Sequence, residues 1–154
     1  MSDTIRDGLT DEITILKSLA EGLNEIIKGY STKKLSMLLL LPKEYPDTKD
    51  TSDIHIQISD LRAESENKFA SGSYIKTVDY TLLVDIKVRK TKNPRVHALE
   101  LVKRIRSLME DLRVSQNFRI LKDMKVSLGL DGDMDVTRLR YIINYDTTFD
   151  DIDN

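Results

Sequence analysis

The chain has 154 residues, enough for one domain that buries roughly two thirds of its unfolded surface without disulfides or metals. Its 24 Lys and Arg against 26 Asp and Glu leave a net charge of -2, which selects no partner by bulk electrostatics. The absence of Cys excludes disulfide frameworks and thiolate sites and fits folding in a reducing cytoplasm.

The N-terminal MSDTIRDGLTDE has no basic segment followed by an apolar run, so no signal peptide is expected. Ile5, Leu9, Ile13, Leu16, Ala20, Leu23 and Ile27 recur every three or four residues, which predicts a helix from near Asp3 to Gly29, with Gly29 as a left-handed cap. Ile15, Leu19 and Ile26 widen the stripe, as expected of a helix packed on a sheet, and Gly8 and Gly22 mark weak points or close approaches. The continuous apolar run Leu35–Leu41 stops at Pro42 and predicts a short strand, buried on both faces and near the middle of the sheet. It is far short of the about 20 residues that a bilayer span needs, so no membrane partner is expected.

Residues 42–53 hold two prolines and many turn formers and read as an exposed, mobile loop. Ile54, Ile56 and Ile58 alternate with polar residues as a strand. A charged stretch, expected to be a second mobile loop over 60–73, then leads into a long half-buried strand from Tyr74 to Lys90, where Val78, Tyr80, Leu82, Val84, Ile86 and Val88 alternate without a slip. The two strands are expected to form a hairpin. Asn93 before Pro94 predicts a helix start with a side-chain cap, and the helix buries Ala98, Leu101, Val102, Ile105, Leu108, Met109 and Leu112 before ending near Arg113. Met124, Val126, Leu128 and Leu130 alternate, Asp131-Gly132-Asp133 turns, and Leu139, Tyr141, Ile143 and Tyr145 alternate again as a closing hairpin. An acidic tail occupies 146–154. The order predicts a single α+β domain over 1–154: a mainly antiparallel sheet with a long β-hairpin, packed against an N-terminal helix and a second helix.

Motifs for chemistry are lacking. The two histidines, His55 and His97, sit in different elements without a second ligand nearby and read as solvated surface groups. Asp131, Asp133 and Asp135 open like a calcium loop, but Val136 stands where the turn glycine belongs and Ile142 where the bidentate Glu belongs, so a plain turn is expected and no metal. The phosphate-cradle, nucleophile-elbow and zincin patterns are missing, so no cofactor and no enzyme activity are expected. Lys87, Arg89, Lys90, Lys92, Arg95, Lys103, Arg104 and Arg106 form a basic concentration opposed nearby only by Asp85 and Glu100. Without interleaved aromatics it reads as a solvated face, or as a patch complementary to acidic protein surface such as Asp146, Asp150, Asp151 and Asp153, which could close a ring head to tail.

In this order the elements resemble the tail terminator proteins of lambda-like long-tailed phages. The resemblance is carried by the N-terminal amphipathic helix, KLSMLLLLP, VDYTLLVDIKV, the helix PRVHALELVKRIRSLMEDL and the closing TRLRYIINYDTTF, which ends in Tyr145-Asp146. The longer first helix and the stretch from Asp60 to Ser73 depart from that pattern. The resemblance implies a non-enzymatic virion protein, assembled in the host cytoplasm, whose copies form a homohexameric ring on the last layer of tail tube protein. Such a ring stops tube polymerisation and offers a face to the head connector or neck protein, with DNA at most passing through it. Tube contacts are expected at Arg62, Glu64, Glu66 and Lys68, and subunit contacts at Asp85, Lys87 and Arg89. A neck or head-completion protein, or a nucleic-acid-binding module using the basic patch, are the alternatives.

Overall fold

The computed structural model describes residues 10–31, 35–66 and 75–148. Among the described residues seven elements follow in chain order: α1 (Glu12–Tyr30), β1 (Met37–Leu40), β2 (Ile54–Glu66), β3 (Ile75–Arg89), α2 (Pro94–Ser115), β4 (Arg119–Asp131) and β5 (Met134–Thr148). They form the expected α+β fold. One five-stranded sheet has the order β1-β2-β3-β5-β4, antiparallel throughout except for the parallel pair β1 and β2.

The alternating row of β3 is the centre of the core: Val78, Tyr80, Leu82, Val84, Ile86 and Val88 are all buried. Cross-strand register sets Val84 opposite Leu139, Leu82 opposite Tyr141, Tyr80 opposite Ile143 and Val78 opposite Tyr145 on β5, and Ile58, Ile56 and Ile54 opposite Val84, Ile86 and Val88 on the β2 side. Directly opposed apolar pairs on one face of the sheet supply both burial and register, because a slip by one residue would turn every one of them to the other face. Both helices cover this face and lie against each other: Ile15, Leu19 and Leu23 of α1 and Leu101, Ile105 and Met109 of α2 join the same core.

The ends of α1 are set by its own residues. Asp11 is the N-cap, its Oδ1 accepting from the Ile13 amide at 3.2 Å, which satisfies one of the free first-turn donors. The expected start near Asp3 lies outside the described residues. At the other end Gly29 is not a left-handed cap. The helix runs through Tyr30 and is closed by Ser31 in an extended conformation, its amide bonded to the Ile27 carbonyl. The buried stripe is also rotated from the expected one: it centres on Ile15, Leu19 and Leu23, while Ile13 is mostly exposed. Gly22 is a close approach, since a Cβ there would overlap the Leu108 side chain of α2.

Three further expectations are corrected. The apolar run Leu35–Leu41 gives a four-residue edge strand, not a central one. The hairpin strand β3 occupies the inner edge of β2 over its full length, so β1 can pair only on the outer edge, from Met37 opposite Ile54 to Leu40 opposite Gln57; its apolar side chains instead pack on the core margin and under α1. Residues 60–66, expected to be a loop, continue β2, with Asp60 to Glu66 paired to Leu82 to Lys76. The connection over 67–74 lies outside the described residues. Asn93 starts α2 in a left-handed conformation (φ 51°) with no side-chain cap bond, leaving Pro94 as the first-turn signal.

Helix α2 ends beyond Arg113, in a Schellman-type turn. Asn117 is left-handed (φ 55°) and the Phe118 amide reaches back to the Arg113 carbonyl, with Phe118 buried. The Thr10 hydroxyl lies 2.7 Å and 2.8 Å from the freed carbonyls of Gln116 and Asn117, while its amide bonds to the Asp146 carbonyl on β5. One buried threonine thus ties the approach to α1, the end of α2 and the edge of β5 together. Strand β4 carries bulges at Leu121 and Leu128, the second beside Gly129 at φ 78°. The Leu128 bulge breaks the expected alternation: Leu130 falls on the opposite face from Met124 and Val126.

Candidate functional site

Neither described helix packs on the other face of the sheet. The loop 41–53 covers one corner of it, where His55 Nε2 meets Asp50 Oδ2 at 2.5 Å and a shallow depression of about 220 Å³ is lined by Pro42, Lys43, Tyr45, Gln57, Ser59 and Asp60. His55 is therefore buried, with 6% of its surface exposed, and not solvated as expected. Burial raises the pKa of Asp50, but bonds from Ser52 and His55 outweigh it and hold the carboxyl below its ordinary value. His97 is half-buried too, its Nδ1 2.6 Å from the Tyr30 hydroxyl, with the Arg104 guanidinium over the Tyr30 ring.

Elsewhere the open face is a polar lattice with isolated apolar groups. Asn144 Nδ2 donates to Asp79 at 2.6 Å, Arg119 donates to Asn144 Oδ1, and the Thr77 hydroxyl donates to Asp146 at 3.0 Å. Between these, Leu61 (69% exposed), Thr81 and Ile142 sit side by side across β2, β3 and β5. The edges of the sheet are open as well: no described residue pairs with the outer side of β2 beyond Gln57 or with the outer side of β4.

The residues expected to carry subunit contacts lie on this face in one row of β3, but two of the three are committed within the chain. Asp85, only 6% exposed, accepts from Arg138 Nε at 2.7 Å and from its Nη2 at 3.0 Å. Arg89 Nη1 bonds Asp133 Oδ2 at 2.7 Å, bracing the β4–β5 turn, where Gly132 has φ 66°. Lys87 lies between His55 and Val136 in the register and is half-buried. Of the expected tube contacts, Arg62 pairs with Glu12 at 3.0 Å across the covered face, the backbones of Glu64 and Glu66 lie in β2, and Lys68 is outside the described residues.

The basic concentration is more balanced than the sequence suggested. Lys92 faces Asp53, Arg106 pairs with Asp123 at 3.1 Å, and Arg104 pairs with Glu100. Glu100 lies one helical turn from Arg104, but Asp53 and Asp123 come from a loop and another strand, so linear proximity undercounted them. The Arg106–Asp123 pair also borders the buried Tyr141 hydroxyl, which forms no hydrogen bond of ordinary geometry; burial raises its pKa, the Asp123 charge adds to this and Arg106 opposes it.

Sequence reading missed the groove between α2 and β4, about 270 Å³, lined by Arg95, Ala98, Leu99, Lys125, Ser127, Asp135 and Thr137. The signal was Val96 and Leu99, apolar residues off the core-facing stripe of α2. The described residues contain no cluster of three or more potential metal ligands, and none of their helices is long and apolar enough to cross a membrane. The chain matches no protein-family model and no curated protein.

Proposed function

We propose that the chain is a structural subunit of a phage tail end, assembling with copies of itself into a ring that caps the tail tube and meets the head connector. The observation that carries this reading is the one-sided sheet. Two described helices pack on one face, while no described helix packs on the other, and the outer edges of β2 beyond Gln57 and of β4 stay unpaired among the described residues. An open edge is a template for pairing with another chain, and natural monomers tend to cover or blunt it. The resemblance of the element order to that of tail terminators adds to this.

The polar lattice of Asp79, Asn144 and Arg119 suits an interface better than a catalytic site, since its groups satisfy one another across the strands. The pairing of Arg89, Lys92, Arg104 and Arg106 with acids weakens the case for a phosphate-binding patch.

Electron microscopy of the purified protein mixed with tail tubes tests the proposal. The expected result is a ring on one end of each tube and an arrest of tube growth when subunits are added. Binding to filled heads and not to tube ends would replace this reading with the neck role. Micromolar binding to duplex DNA at low salt, without either, would replace it with the nucleic-acid one.

A further inference from the structure

On the side of α2 that faces β4, Arg95, Leu99 and Arg106 recur at helical spacing, but only Arg106 crosses to the strand, where it pairs with Asp123. Toward the start of the helix the two elements part, and the groove opens between them. Ala98 and Leu99 form its apolar side, and Leu99 is 48% exposed. Leu130, also exposed, lies opposite Asp135 on the same face of the sheet. Arg95 and Lys125 stand on the two walls, and neither has an ion-pair partner among the described residues. Asp135 is the one carboxylate among the lining residues, so the walls carry a net positive charge.

We infer that this groove holds the segment Phe149–Asn154 of a second copy of the chain. That segment, FDDIDN, places Asp150, Asp151 and Asp153 around Ile152, with Phe149 before them. Its acids match Arg95 and Lys125, and its two apolar side chains match Leu99 and Leu130. The contact is between molecules because of reach. Along β5 from Thr137, in the groove, to Thr148 the strand rises about 36 Å. The six residues 149–154 span at most about 20 Å when fully extended, so they cannot turn back to the groove of their own subunit. A contact between two different surfaces of like subunits is heterologous, and it closes into a ring when the rotation between copies permits. The inference rests on the proposed self-association and adds which surfaces meet.

The chain contains no Cys, so introduced thiols report on contact alone. Protein with Ile152→Cys is mixed under mild oxidation with protein carrying either Leu99→Cys or, as a control on the open face, Leu61→Cys; both leucines are exposed, so folding is preserved. The expected result is a covalent dimer forming at least tenfold faster with Leu99→Cys than with Leu61→Cys, slowed about tenfold when Arg95→Glu and Lys125→Glu are added. Equal rates with the two leucine positions would overturn the inference. Tube capping, assayed in parallel on the wild-type chain, separates the two levels of the argument. Capped tubes with equal rates would remove the groove contact and leave the ring standing, whereas selective cross-linking by a protein that ignores tube ends would uphold the contact and remove the tail role.

Discussion

Tyr80 is buried in the middle of the sheet, and its hydroxyl donates to Asp60 Oδ2 at 2.5 Å. Burial raises the pKa of that hydroxyl far above its ordinary value, and the adjacent Asp60 charge adds to the effect. Tyr141 is shifted in the same direction, first by burial. Because both groups ionise more readily in the unfolded chain, their stabilising effect is complete below about pH 10 and declines as pH rises above it. Unfolding free energy measured in denaturant between pH 9 and 11.5 should fall by up to about 1.4 kcal/mol per pH unit for each tyrosine, and Tyr80→Phe with Tyr141→Phe should flatten that slope. A second test concerns Gly22. Replacing it with Val should cost about 1–3 kcal/mol through overpacking against Leu108, and Leu108→Ala in the same chain should recover part of the loss. The sequence marked Gly22 as a weak point or a close approach and could not name its partner, since Leu108 lies on a helix far along the chain. It could not show that His55, on the polar side of a strand, would be covered by the loop carrying Asp50, because that contact depends on where the loop folds back.

At the scale of elements, strict alternation made β3 and β5 readable, and the apolar stripes made both helices readable. What escaped was decided by pairing. The run LSMLLLL has the composition of a central strand, yet its place depends on which edge of β2 remains free. The charged residues 60–66 read as a loop because their polarity hides a strand that hangs beyond the core and draws its hydrogen bonds from β3. In β4 the Leu128 bulge defeats alternation, since one extra residue reverses the facing of all that follow. The groove was obscured for a related reason: Arg95 and Lys125 meet only through the crossing of α2 over the sheet. Neighbouring strands β3 and β5 are also joined by the Asp85–Arg138 pair. Arg138→Ala should destabilise the fold by about 2–3 kcal/mol, because it leaves Asp85 nearly buried without its guanidinium partner. Replacing both residues with Leu should restore much of that loss, as read from denaturant midpoints in a double-mutant cycle.

For the molecule as a whole, stability and association should be separable, because the core lies beneath the helices while the proposed contacts lie on the uncovered face and at the margin between α2 and β4. Leu61→Lys, on the uncovered face, should change stability by no more than about 0.5 kcal/mol, while weakening tube capping; a capping assay beside thermal unfolding distinguishes the two effects. The fold class was legible because both helices and most strands announced themselves locally. The open face was not, since an outward row of Asp79, Thr81, Leu83 and Asp85 is equally compatible with solvent and with a partner. The sheet order carries one more consequence, for synthesis. Strand β3 is flanked by β2, made just before it, and by β5, made last among the strands. A growing polypeptide therefore holds half of its central ribbon unzipped until Thr148 has left the ribosome, and nascent chains stalled before β5 should bind chaperones and resist no protease.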